Sequence, residues 1–139
     1  MRVYRVQQAT NEIVRLDGKH RSLWESITQF ERLLSNGQTH GHMPYSNLKL
    51  RRDGSPASVW KGRVIYPPLG GKRSGLRYVY ERVEIGNDEY AVALTVYVHQ
   101  EGNKESDAID RIRKRSQSFE ATMQGLRALD GSDTDMLLQ

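Results

Sequence analysis

Alternation of apolar and polar residues in the second half of the chain predicts three neighbouring strands. Residues 59–66, 76–85 and 89–99 each have strand composition, with apolar positions recurring at every second residue. Turn-forming residues separate them: Pro and Gly follow the first run, and Gly86-Asn87-Asp88 is suited to a hairpin between the second and third. The pattern therefore predicts an antiparallel meander.

The same alternation assigns side chains to the two faces of this sheet. Lys61 and Arg63 share a face of the first strand, opposite Trp60 and Val64. The last strand has a wholly apolar face, which we expect to cover the core, and a more polar face, which we expect to line a cleft. The apolar set is Val92, Leu94, Val96 and Val98; the other set is Ala93, Thr95, Tyr97 and His99.

Helical periodicity replaces alternation in the first half. Residues 2–6 alternate and predict a short strand, whereas residues 8–17 fit either a helical turn or a loose connection. Helical spacing and the Asn36-Gly37 stop predict a helix over residues 23–35, with Ser22 and Glu25 forming a capping box. Trp24 and Phe30 are predicted core residues of this helix.

A second helical pattern follows the last strand, from Lys104 to about Leu129. Its apolar stripe packs either on the domain's own sheet or in a homodimer, and both alternatives stay open; the stripe comprises Ile109, Ile112, Phe119, Met123 and Leu126. Residues 131–139 are predicted to be a disordered tail. These elements predict a single α+β domain over residues 1–130, with a sheet of about four antiparallel strands.

Composition and charge narrow the function classes. The chain has 139 residues and no cysteine, which excludes disulfides and thiolate catalysis. Its opening residues do not resemble a secretory signal and no run is apolar enough to span a bilayer, so we expect a cytoplasmic protein without membrane partners. Residues 40–85 hold nine Lys/Arg against three Asp/Glu, a net charge of +6, whereas the rest carries −2. This basic centre favours a polyanionic partner over an evenly solvated surface.

The basic, glycine-rich turn at residues 70–75 lies at the middle of this charged region. It leads into Arg77 on the second strand of the meander, and the first strand adds Lys61 and Arg63. The last strand ends on His99. Together these residues predict a site for an RNA phosphate. His40 and His42 form a His-x-His pair, which is a weak signal for a metal site, so we predict no metal and no cofactor.

The turn and its strands resemble those of the RelE/ParE superfamily of bacterial toxins, including RelE- and HigB-like members. The similarity covers roughly residues 48–115. Residues 71–80 resemble the family's basic turn and G-x-R-x-x-Y strand, and residues 94–101 resemble its last strand. The chain differs in its C-terminal extension, in its weakly marked first helix and in having His99 and Gln100 where the family has Lys or Arg.

The resemblance implies a RelE-like fold and ribosome-dependent cleavage of mRNA, without a metal, by a toxin that pairs with an antitoxin protein. In such cleavage the 2′-hydroxyl attacks its own 3′-phosphate, which requires a base, an acid and cations. Arg77 with Arg63 or Lys61 is the predicted phosphate clamp, and His99 the predicted acid or base. The predicted RNA contacts are Lys72, Arg73, Tyr80, Tyr97 and Arg51.

Other interpretations fit the same residues. A ParE-like or other nucleic-acid-binding module could use this scaffold without catalysis, in which case His99 is a surface histidine. Arg77 could pair with Glu81 rather than with phosphate, and the lysine and arginine of the turn could simply be solvated. The sequence supports an RNA-binding, toxin-like protein and leaves its catalytic activity as a hypothesis.

Overall fold

The structure is a computed structural model that describes residues 1–45, 58–69, 75–85, 87–99 and 108–119. The two N-terminal helices are α1 and α2, and residues 108–119 form a third, α3. A 3-10 turn at Pro67–Leu69 follows the third strand. The helix and strand bounds are β1 Arg2–Arg5, α1 Gln7–Lys19, α2 Leu23–Ser35, β2 Met43–Pro44, β3 Val59–Val64, β4 Leu76–Ile85 and β5 Asp88–Val98.

The strands form one mixed five-stranded sheet in the order β1-β5-β4-β3-β2. The predicted meander of β3, β4 and β5 is confirmed, and so is the α+β class. The expectation of about four antiparallel strands was incomplete in two ways. β1 pairs in parallel with β5, because the α1–α2 pair carries the chain across one face, and the short strand β2 adds to the edge of β3.

Helix α2 has the predicted bounds, but its N-terminus is built differently from the predicted capping box. Ser22 has a φ of 63° and its side chain makes no capping hydrogen bond. Instead, the backbone N–H of Trp24 donates to Asp17 Oδ1 at 2.9 Å, so the end of α1 caps the start of α2.

Of the two aromatic residues predicted for the core, Phe30 is buried and Trp24 is not. Trp24 is 37% exposed, and the Arg5 guanidinium carbon lies 4.9 Å from its ring centroid. The prediction for Trp24 was wrong because it borders the apolar stripe of α2, where an indole can lie beneath a cation at the surface. Residues 8–17 are resolved as part of α1, which buries Ala9, Ile13 and Leu16 at helical spacing.

Helices cover both faces of the sheet. Helices α1 and α2 pack against one face, which includes Leu76, Tyr78 and Val96. Helix α3 packs against the other through Ala108, Ile112 and Phe119. Within residues 108–119, the predicted apolar stripe is therefore used on the domain's own sheet.

A β-bulge explains why the predicted faces of β5 are mixed. Val79 pairs with Thr95 and Tyr80 with Ala93, which leaves Leu94 as an extra residue in β5. Before the bulge Val92 and Leu94 face α3, whereas after it Val96 and Val98 face α1 and α2. The single apolar face predicted by strict alternation is thus divided between two cores.

A partly buried ion pair and a tyrosine hydroxyl connect β1, α2 and β4. Arg5 donates from Nε and Nη2 to the two Glu31 oxygens at 2.7 and 2.6 Å, and the Tyr78 hydroxyl donates to Glu31 Oε2 at 2.7 Å. Burial, followed by the Glu31 charge, raises the pKa of Tyr78 well above its ordinary value. The phenol therefore stays protonated, which keeps the hydrogen bond across the α2–sheet interface.

Candidate functional site

The cations predicted to clamp a phosphate occupy different environments. Arg63, Arg77 and Tyr97 form one row across β3, β4 and β5, since they are partners in the strand register. Arg63 is exposed, whereas Arg77 is only 5% exposed in the centre of the sheet. Lys61 is half-buried, with its ammonium 5.3 Å from the centroid of the Tyr45 ring. Of these three cations, Arg63 presents its charge most openly to solvent.

The other predicted residues do not gather at one point. Tyr80 packs with the core beneath α1 and α2, and Tyr97 packs beneath α3 on the opposite face. His99 is exposed directly after β5, where its backbone N–H donates to the Gly75 carbonyl at 3.0 Å. Arg51, Lys72 and Arg73 lie outside the described residues.

A cleft of about 960 Å³ opens between α2 and β3, and we call it the histidine cleft. His40, His42 and Arg63 line it, together with an apolar wall. Met43 and Ile65, at its rim, are 61% and 84% exposed. Concave, largely apolar sites with a few polar groups are the usual form of a small-molecule or substrate pocket. The wall and rim comprise Phe30, Leu33, Met43 and Ile65.

His42 is held in this cleft from two sides. Its ring stacks on Phe30 at 5.1 Å between centroids with an interplanar angle of 13°. Its Nδ1 shares a 2.7 Å hydrogen bond with the Tyr80 hydroxyl, and the His42 tautomer decides which group donates. Nε2 makes no hydrogen bond to any of the described residues. This nitrogen lies near Gly62 of β3, 3.1 Å from the position that a Cβ would take there.

The protonation states of this pair follow from burial. Burial lowers the pKa of His42 below its ordinary value of 6.5, so the imidazole is neutral at pH 7. Burial also raises the pKa of Tyr80 to about 12, so the phenol keeps its proton. A neutral imidazole oriented by a neutral phenol can accept a proton from a substrate hydroxyl.

Gly62 on β3 makes this arrangement sterically possible. A Cβ at this position would lie 2.5 Å from Phe30 Cζ and 3.1 Å from His42 Nε2. Contacts this close are not compatible with the observed positions of the two rings. The glycine therefore leaves the space in which Phe30 and His42 stack.

The polar side chains of the histidine cleft include two imidazoles and a guanidinium. The described residues contain no group of three or more His, Cys, Asp or Glu side chains arranged to hold a metal ion. His40 and His42, which suggested a weak metal signal in the sequence, instead line a cleft with one arginine. Two imidazoles and a guanidinium supply a base, an acid and an anion ligand.

A second cleft, of about 720 Å³, lies at the edge of β5 between α1 and α3, and we call it the arginine cleft. Among the described residues, β1 is the strand at this edge, and it pairs with β5 as far as Ala93. Beyond it, Glu12 Oε1 accepts from the Val96 N–H at 3.3 Å, and Arg115 Nη1 donates to the Leu94 carbonyl at 2.9 Å. Side chains from α1 and α3 thus take the place of a further strand.

Sequence reasoning missed the pairs at the centre of both clefts, His42 with Tyr80 and Glu12 with Arg115. His42 and Tyr80 are 38 positions apart, and Glu12 and Arg115 are 103 apart. The i, i+4 spacing of Arg111 and Arg115 could have indicated two cations on one side of α3. The spacing of His40 and His42 was noticed but suggested only a metal.

No family model, curated protein or solved structure matches the chain. The resemblance to RelE/ParE toxins is therefore a prediction that rests on the quoted residues alone. None of the helices formed by the described residues combines the length and apolarity required to cross a membrane.

Proposed function

We propose that this protein is a metal-independent endoribonuclease that cleaves RNA in the histidine cleft. One observation carries the proposal: His42, fixed by Tyr80 and by Phe30, shares a cleft with a second histidine and an exposed arginine. Cleavage of RNA by internal transesterification without a metal needs a base, an acid and a cation, which these groups can supply.

In the proposed reaction, the 2′-oxygen of RNA forms a bond to the adjacent phosphorus. His42 Nε2 takes the 2′-hydroxyl proton while Nδ1 keeps its bond to Tyr80. Arg63 binds the phosphate oxygens, on which negative charge builds in the transition state. His40, in its protonated form, gives a proton to the departing 5′-oxygen. The products are a 2′,3′-cyclic phosphate and a 5′-hydroxyl, with no net oxidation or reduction.

The apolar part of the cleft supplies a place for a nucleobase. Met43 and Ile65 expose large apolar side chains beside the two histidines. Unstacked RNA bases bind to such surfaces, which favours a single-stranded substrate over a duplex. By its resemblance to RelE-like toxins, the proposed substrate is mRNA on the ribosome, and the proposed protein partner is an antitoxin.

The decisive experiment measures cleavage of a labelled single-stranded RNA in EDTA by the wild type and by His42→Gln and Arg63→Gln variants. We expect a 2′,3′-cyclic phosphate product and losses of about 10²–10⁴-fold for His42→Gln, as for other acid–base residues. His20→Gln is the matched control, because His20 packs near Tyr66 and does not line the cleft.

The location of the chemistry has its own test. Loss of cleavage in His99→Gln, with full activity in His42→Gln, would place catalysis at the end of β5 and refute the histidine cleft as the site. Induction in cells gives the corresponding test of the substrate: growth arrest with mRNA cut on translating ribosomes supports the toxin-like role, and uncut mRNA contradicts it.

The net charge of +6 over residues 40–85 favours a second candidate function, a non-catalytic RNA-binding module. Arg77 is only 5% exposed, so its side chain is too buried to bind the phosphate of a substrate during a reaction. A binder of this kind would retain salt-dependent RNA affinity and produce no cyclic phosphate. The cleavage assay in EDTA therefore separates the two candidates.

A further inference from the structure

The arginine cleft carries an excess of positive charge. Four of its lining residues are cations, namely Arg15, Lys19, Arg111 and Arg115, and its acidic lining residue is Glu12. Helix α1 supplies the first two cations and α3 supplies the others, so the charges converge from two elements. Such convergence raises the local potential more than the same charges would on a flat surface.

The Glu12 carboxylate already has hydrogen-bond donors within the fold. Glu12 accepts hydrogen bonds from Thr95 Oγ1 at 3.0 Å, from the Val96 N–H at 3.3 Å and from Arg115 Nη1 at 2.7 Å. It is 8% exposed. Its charge is balanced by Arg115. Arg15, Lys19 and Arg111 therefore give the cleft a net positive charge.

Arg111 carries the strongest indication of a ligand. Its Nε lies 3.7 Å from Glu12 Oε2, which is an ion-pair distance but too long for a hydrogen bond. This Nε is buried, and it has no hydrogen-bond acceptor among the described residues. The Tyr97 ring supports the guanidinium, with 5.8 Å from the guanidinium carbon to the centroid. The Arg111 side chain as a whole is 27% exposed, so part of the guanidinium remains open to a ligand in the cleft although Nε is covered.

We propose that the arginine cleft binds a phosphate group. Arg111 and Arg15 are its ligands, Lys19 adds charge, and Arg115 is a positioning residue held by Glu12. A phosphate offers several acceptor oxygens and more negative charge than a carboxylate, and it matches guanidinium geometry. The cleft lies at the β5 edge, remote in the strand order from the histidine cleft at β3, so this site does not depend on the proposed nuclease activity.

The direct test is a titration with inorganic phosphate, followed by NMR of the arginine Nε–H signals, with chloride at equal ionic strength as the control. We expect phosphate to shift the Arg111 signal. The affinity should fall at least about tenfold in Arg111→Gln and in Arg15→Gln, as for the loss of a charge-assisted hydrogen bond. Equal shifts in chloride would overturn the proposal.

Arg113→Gln is the matched control, because Arg113 is exposed on the same helix and does not line the cleft. An equal loss of affinity in Arg113→Gln would indicate general charge attraction and reject the site. Arg15 and Lys19 are exposed, so their substitution tests the site even where Arg111→Gln fails to fold. Unchanged phosphate affinity in Arg15→Gln and Lys19→Gln would also reject it.

Two RNA probes identify the source of the phosphate. If the site holds a backbone phosphate, binding of a 5′-hydroxyl oligoribonucleotide should depend less on salt in Arg15→Gln. The slope of the log binding constant against the log salt concentration should be about 0.7 smaller in magnitude than for the wild type. If it holds a phosphomonoester, the same oligoribonucleotide should bind to wild type and Arg15→Gln equally, and only its 5′-phosphorylated form should distinguish them. Failure of RNA cleavage alone would leave these binding results unchanged.

Discussion

At the scale of single residues, Gly62 is the position on which the histidine cleft depends sterically. We expect Gly62→Ala to destabilise the protein by about 1–3 kcal/mol, because the new Cβ would meet Phe30 Cζ at 2.5 Å and force the ring to move. Chemical denaturation measures the change. RNA cleavage should fall as well, since His42 stacks on the displaced ring.

Gly18→Ala is the control for this substitution. Gly18 lies in α1 and has nothing within 4 Å of an added Cβ. Alanine is the better helix former there, by up to about 1 kcal/mol. Equal destabilisation by the two substitutions would show that steric contact at Gly62 is not the cause.

His42 should also make stability depend on pH. Its pKa is lowered in the folded state by burial, so the unfolded chain binds the proton more tightly. Stability should therefore be lost as the pH falls below the ordinary value of 6.5, and the loss is complete below the folded-state pKa. Thermal melting from pH 7.5 to 5 should show a steeper decline for the wild type than for His42→Gln. Parallel curves would contradict this assignment.

The sequence was informative about burial at some residues and misleading at others. Phe30 and Ile112 lie within regular apolar stripes, and both are buried as predicted. Trp24 borders a stripe, so periodicity could not decide whether its indole packs inward or lies under Arg5. His42 could not be assigned to Tyr80 because the contact joins the residue before β2 to β4, which lies on the far side of β3 in the sheet.

At the scale of elements, Glu12 connects α1, β5 and α3. We expect Glu12→Gln to cost about 3–5 kcal/mol, because Arg115 would lose its partner in a largely buried site. Denaturant unfolding would detect this loss. Asp110→Asn removes a carboxylate from an exposed position on α3 and should change stability little. A similar cost for both would argue against the Glu12 network.

The elements themselves were largely predictable, but one irregularity was not. The bounds of β4 and α2 followed from alternation and helical spacing over residues 76–85 and 23–35. The bulge at Leu94 was not visible, because a bulge adds a residue without changing composition. It therefore reversed the predicted orientation of every β5 residue beyond it.

At the scale of the whole molecule, α3 closes a second core on the sheet. We expect Ile112→Ala to destabilise the protein by about 2–5 kcal/mol, since Ile112 is fully buried against the sheet. Ile109→Ala should cost less, because Ile109 is only partly buried on the same helix. Calorimetric melting of both variants provides the comparison. Equal costs would mean that α3 does not pack as described.

The candidate site was beyond prediction because it is non-local. Both clefts are formed where elements distant in sequence meet: α2 with β3 in one case, and α1 with α3 in the other. Local patterns predicted the basic character of the chain and several of the residues involved, including Arg63 and Tyr97. They could not show that Arg63 and His42 line one cleft, or that Arg111 lies over Tyr97.

The parallel pairing of β1 with β5 has a consequence for biosynthesis. Arg2 pairs with Tyr90, so 88 residues separate the two positions in the chain. At translation rates of about 5–20 residues per second, roughly 4–18 s pass between the synthesis of Arg2 and that of Tyr90. During that interval the nascent chain can form α1 and α2, but the edge that β1 will occupy does not yet exist. Ribosome stalling within β4 would therefore prolong the exposure of β1 and favour aggregation of the nascent protein.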